Sequence, residues 1–123
     1  MSESIVKNKS YQLAIDGVKF FQLLQNDKRE FVLSKQLLRS ITSVGANVRE
    51  AVNAQSKADF IHKLSISQKE CDESLYWLEL LKDTQIVSQE EFMPIHTQAT
   101  EVLKIIRSII ITSKKNLAST HNS

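Results

Sequence analysis

Apolar residues recur along this chain at three- and four-residue intervals, the period of a helix with one buried side. Tyr11, Ala14, Ile15, Val18, Phe21 and Leu24 keep that spacing and predict a first helix over about 10–25. The polar run Asn26-Asp27-Lys28-Arg29-Glu30 then breaks the pattern. Leu37, Leu38, Ile41, Val44, Val48, Ala51 and Val52 carry a second helix, about 34–54. A third, about 56–83, has Phe60, Leu64, Ser67, Cys71, Leu75 and Leu78 as its inward stripe. The fourth, about 88–115, continues through Ile95, Ala99, Val102, Leu103, Ile106 and Ile110.

The helix ends carry their own signals. Ser56 with Asp59, and Ser88 with Glu91, have the spacing of capping boxes, in which each residue serves the other's backbone N–H. Val87 and Phe92 flank the second box as a hydrophobic staple would. Pro94 should kink the fourth helix or delay its start to near Met93, because proline lacks the N–H that the helix needs. Beyond Lys115 the chain turns polar, and fraying is expected.

Short connections make consecutive helices antiparallel neighbours. The predicted fold is all-α, a single up-down-up-down four-helix bundle. The chain's 123 residues suffice for one core and not for two. Two glycines and one proline agree with few turns and long elements.

Composition narrows the setting. Hydrophobic residues form 41% and charged residues 24%, which excludes a disordered chain. Cys71 is the only cysteine, which excludes a disulfide scaffold and favours a reducing, cytoplasmic setting. Neither a leader-like start nor a run long enough to span a bilayer is present, so no membrane partner is expected.

Several motifs together resemble one family. Leu38-Arg39-Ser40, Ser43-Val44, Ala46-Asn47-Val48 and Glu50 form its helix 2 signature. Ser56, Asp59-Phe60 and then Glu70, Glu73 and Trp77 extend it into helix 3. The pattern is similar to that of the four helix bundle protein family, also called the 23S rRNA-intervening-sequence protein family. It covers the chain from about Asn8 to Lys115, with Val48 where isoleucine is common and an unusual Pro94. The resemblance implies a bacterial bundle that assembles into a ring, a homopentamer. It also implies a gene within 23S rRNA intervening sequences or alone on a chromosome. A related branch resembles accessory proteins of diversity-generating retroelements, which bind reverse transcriptase and nucleic acid.

Candidate chemistry is sparse. Arg39, Ser43, Asn47 and Glu50 fall on one polar stripe of helix 2, away from its apolar side. Three readings compete. The stripe is a network against helix 3, with Arg39 near Asp72 or Glu73 and Glu50 near His62; or a subunit interface; or a ligand site. The last is weakest, since no adjacent base activates a nucleophile. His62, His96 and His121 lack partners at zinc spacing, and no glycine loop cradles phosphate. Cys71 lies on the apolar stripe, and Glu70 and Glu73 have the look of a solvated pair. No cofactor and no enzymatic activity are predicted.

Two surfaces point to partners. Ile66, Trp77 and Leu80 lie on a second face of helix 3, and Ile105, Ile109 and Ile111 widen the arc of helix 4. Such surplus predicts self-association with Trp77 at or beside the contact. The topology also gathers Lys7, Lys9, Arg49, Lys57, Lys63, Arg107, Lys114 and Lys115 at one end, with acids at the other. Helix dipoles favour bases at helix finishes, not at starts, so they leave Lys7, Lys9, Lys57 and Lys63 unexplained. A basic rim able to hold RNA or DNA backbone is one reading, without interleaved aromatics for base stacking. Another protein as partner, or a purely structural assembly, are the alternatives.

Overall fold

The computed structural model describes residues 2–122, and among them the only regular elements are four helices. They are α1 (Ser2–Asn26), α2 (Leu33–Val52), α3 (Lys57–Asp83) and α4 (Gln89–Asn122). α1 touches α2 and α4, α3 touches the same two, and neither diagonal pair meets. That is a square, antiparallel bundle. Its direction is fixed by contacts such as Ser67 Oγ donating to the Val44 carbonyl at 2.7 Å, and Ser74 Oγ donating to Ser40 Oγ at 2.9 Å.

The core holds Leu13, Leu24, Leu37, Ile41, Val44, Val48, Leu64, Leu78, Leu81, Val102 and Ile106, all essentially inaccessible to water. α4 buries the predicted stripe. α1 does not. Its buried series is Val6, Ser10, Leu13, Gly17, Phe20 and Leu24. The predicted stripe, apart from Leu24, lies to one side of it: Tyr11 and Val18 are exposed, and Ala14, Ile15 and Phe21 are half-buried. The reason is steric. A Cβ on Gly17 would stand 2.6 Å from Ile41 Cγ2, and one on Gly45 would stand 3.1 Å from the Ser10 carbonyl oxygen. Small residues let α1 and α2 approach, and an apolar count passes over such positions. In α2 and α3 Ser40, Ser67 and Ser74 are buried where the two helices meet and Ser34 is buried in its cap with Glu30, while Leu38, Val52, Phe60 and Leu75 are only half-buried.

The helix bounds also differ from expectation. α1 begins at Ser2, and α4 runs unbroken through Pro94 to Asn122 rather than fraying after Lys115. Pro94 stands on the exposed side of the second turn, where water can serve the carbonyl that loses its bond. Leu117 packs against the core and ties down the late turns of α4.

The caps follow the sequence more closely. Ser56 Oγ accepts from Asp59 N at 3.0 Å. Ser88 N donates to Glu91 Oε1 at 2.9 Å and Glu91 N to Ser88 Oγ at 3.1 Å, a complete capping box. Val87 and Phe92 beside it are both buried. At α2 the cap comes from further back: the Glu30 carboxylate accepts from Val32, Leu33 and Ser34 N–H.

Candidate interaction surfaces

Two residues of the polar stripe of α2, Ser43 and Asn47, bond back to their own helix. Ser43 Oγ donates to the Arg39 carbonyl at 2.7 Å, and Asn47 Nδ2 donates to the Ser43 carbonyl at 2.8 Å. Glu50 pairs with Lys63 at 2.9 Å rather than meeting His62. That hydrogen bond, then the Glu50 charge, raises the Lys63 pKa. Asp72 points at α4, where Arg107 lies 3.5 Å away, so it does not serve Arg39. Arg39 is exposed and has no ion pair among the described residues.

Reactive groups are few. Cys71 is buried and donates to the Ala99 carbonyl at 3.3 Å. Burial, with Asp72 adding to it and Arg107 opposing, pushes its thiol up to about 12. Among the described residues no cluster of His, Cys, Asp and Glu could hold a metal ion; the side chain of His121 lies outside them. No helix among the described residues is long and apolar enough to cross a membrane.

Apolar exposure is distributed differently from the sequence expectation. Ile66, Trp77 and Leu80 are half-buried, with Trp77 packed on the core and its Nε1 enclosed without a hydrogen-bond partner. Tyr76, 58% exposed and edge-on to Trp77 at 5.0 Å, is the outermost aromatic of that face. The larger surplus lies on α1, which the sequence reading assigned to the core. Tyr11 is 55% exposed and Val18 40%, beside a groove of about 330 Å³ that Gly45 and Ala46 open in α2. The Arg49 guanidinium covers the Tyr11 ring at 5.4 Å, a cation–π contact, and Lys7 lines the same groove. A second groove, of about 340 Å³, separates α1 from α4 and is lined by Ile5, Ile105 and Ile109. Ile111 is exposed beyond it.

The basic end is partly neutralised. Lys9 pairs with Glu101 and Lys63 with Glu50, while Arg107, expected at this end, instead meets Asp72 along the middle of α3 and α4. Lys7, Lys57, Lys114 and Lys115 have no ion pair among the described residues. At the opposite end Lys28 pairs with Glu91 at 3.0 Å and His96 with Glu79 at 2.9 Å.

Fold and surfaces together define an all-α antiparallel four-helix bundle whose distinctive features lie on its outside. The chain belongs to the 23S rRNA-intervening sequence protein family, whose pattern matches residues 2–108. A crystal structure of a protein of unknown function from the S23 ribosomal protein family of Bacteroides thetaiotaomicron is similar to it, with 49% identity and a TM-score of 0.87. The similarity covers 89% of this chain and 98% of that one. No curated protein matches.

Proposed function

We propose that this protein is a non-catalytic building block that assembles with copies of itself into a ring, in which the bundles act as a scaffold. The observation that carries this reading is the apolar stripe of α1. Tyr11 and Val18 face solvent beside half-buried Ala14, Ile15 and Phe21, although a complete core already lies on the other side of the helix. Contiguous apolar surface of that kind costs free energy in water at about 25 cal/mol per Å², and a subunit contact removes it. Five copies is the number the family resemblance implies. The test is the mass in solution at micromolar concentration, by light scattering or sedimentation. A multiple of 14.0 kDa is expected; a monomer overturns the reading.

A second reading concerns what the scaffold carries. Lys7, Lys57, Lys114 and Lys115 gather at one end and have no ion pair among the described residues, and a ring multiplies them into a rim. Such a rim holds RNA or DNA through phosphates, with affinity that falls steeply as salt rises. Retention on nucleic acid at low salt should disappear when these lysines become glutamates. Retention that survives the change removes the reading.

A further inference from the structure

We infer that copies of this chain join head to tail, the α1–α2 face of one receiving the crest of α3 of the next. The inference rests on the self-assembly reading and adds which surfaces meet. Each of the two faces has an apolar centre: Tyr11, Val18 and Ala46 on the first, Tyr76 with half-buried Leu80 on the second.

Their margins have opposite sign. Lys35, Arg39 and Arg49 are exposed along α2, and none has an ion pair among the described residues. The one nearby acid in the groove, Glu50, is already engaged by Lys63. On α3, Glu70 and Glu73 have no ion pair among the described residues, and Lys69 is the one cation between them and Ile66.

Opposite margins around apolar centres steer two faces together and set their register, while like margins repel. The α1–α2 face therefore rejects a second α1–α2 face. What it accepts is present on every copy of the chain. Because the two faces differ, the contact is heterologous, and repeated contacts close into a ring when the rotation between copies permits. Arg39 gains in this arrangement the carboxylate that its own chain does not provide.

The experiment reverses charge on each face separately and then on both. Arg39→Glu with Arg49→Glu makes the groove margin acidic, and Glu70→Lys with Glu73→Lys makes the crest basic. Each pair should reduce the assembled mass to 14.0 kDa while helicity by circular dichroism is kept. The four substitutions in one chain restore opposite signs and should restore the assembly. A monomeric wild type overturns both the self-assembly reading and this one. A wild type that assembles, with either reversed pair assembling equally well, overturns only this inference. So does a folded four-fold variant that stays monomeric.

Discussion

Gly17 of α1 faces Ile41 of α2 so closely that a Cβ placed on the glycine would stand 2.6 Å from Ile41 Cγ2 and 3.2 Å from its Cδ1. Ile41 is fully buried and its Cγ2 lies near the backbone, so it has little room to yield. Replacing Gly17 by alanine gains about 1 kcal/mol of helix propensity, but overpacking costs about 1–3 kcal/mol. A net loss of about 1 kcal/mol is expected for Gly17→Ala in urea or thermal unfolding. Ile41→Leu, which removes the branch at Cβ, should recover part of that loss in the double variant. Additive effects would show that the two side chains do not compete for the same space.

Two helices end without glycine where the backbone calls for one. Arg29 after α1 has φ 55° and Gln85 after α3 has φ 64°. Both are left-handed residues closing their helices: Glu30 N donates to the Leu24 carbonyl at 2.9 Å, and Ile86 N to the Leu81 carbonyl at 3.0 Å. An L side chain there costs roughly 1–2 kcal/mol, offset in part by the greater unfolded-state freedom of glycine, about 0.4–1 kcal/mol. Gln85→Gly should therefore raise stability by roughly 0.5–1 kcal/mol, and Gln85→Val should lower it. A destabilising Gln85→Gly would contradict the conformational account.

Glu30 is the cap of α2, and its effect should depend on pH. Burial alone would raise its pKa, but bonds from the Leu33, Ser34 and Val32 N–H groups and from the Ser34 side chain outweigh it and hold the carboxyl below its ordinary value of 4.5. With the folded value depressed, the stabilisation is complete above 4.5 and is lost as pH falls through the folded value. Glu30→Ala should cost about 1 kcal/mol at neutral pH. The difference between variant and wild type, followed by urea unfolding, should shrink as the solution is acidified. A difference that stays constant into strong acid would separate the cap from the carboxylate charge.

The Cys71 thiol should be silent in the folded protein. It lies in the core, and burial keeps its protonated form favoured up to about 12, against an ordinary 9.0. A thiol-reactive dye at mildly alkaline pH should label it only at the rate of unfolding. Because the folded value is raised, its contribution to stability is intact below 9.0 and is lost as pH rises towards about 12. Cys71→Ala should flatten that alkaline decline, and rapid labelling under native conditions would place the thiol at the surface instead.

Much of the fold was legible because helical periodicity and capping are local. Ser56–Asp59, Ser88–Glu91 and the stripe of α4 need only neighbours a turn away, and each stands where the spacing put it. The Glu30 cap is not legible in the sequence because it reaches from behind Val32, with backbone geometry no standard motif specifies. On the candidate surfaces, Arg39, Ser43, Asn47 and Glu50 do share one side of α2. Their partners depended on how far α3 is rotated, which pairs Glu50 with Lys63 and gives Asp72 to Arg107.

From the residues alone came the helix count, their order, the antiparallel bundle and the family resemblance, because each follows from spacing along one strand of chain. Tertiary structure decided which of two adjacent apolar series on α1 is core. Both satisfy the helical period; only the close approach of α2 against Ser10 and Gly17 selects Leu13 and Phe20 for burial and turns Tyr11 and Val18 outward. Contact distance between helices is set jointly by small residues on both, and no single helix's pattern contains it.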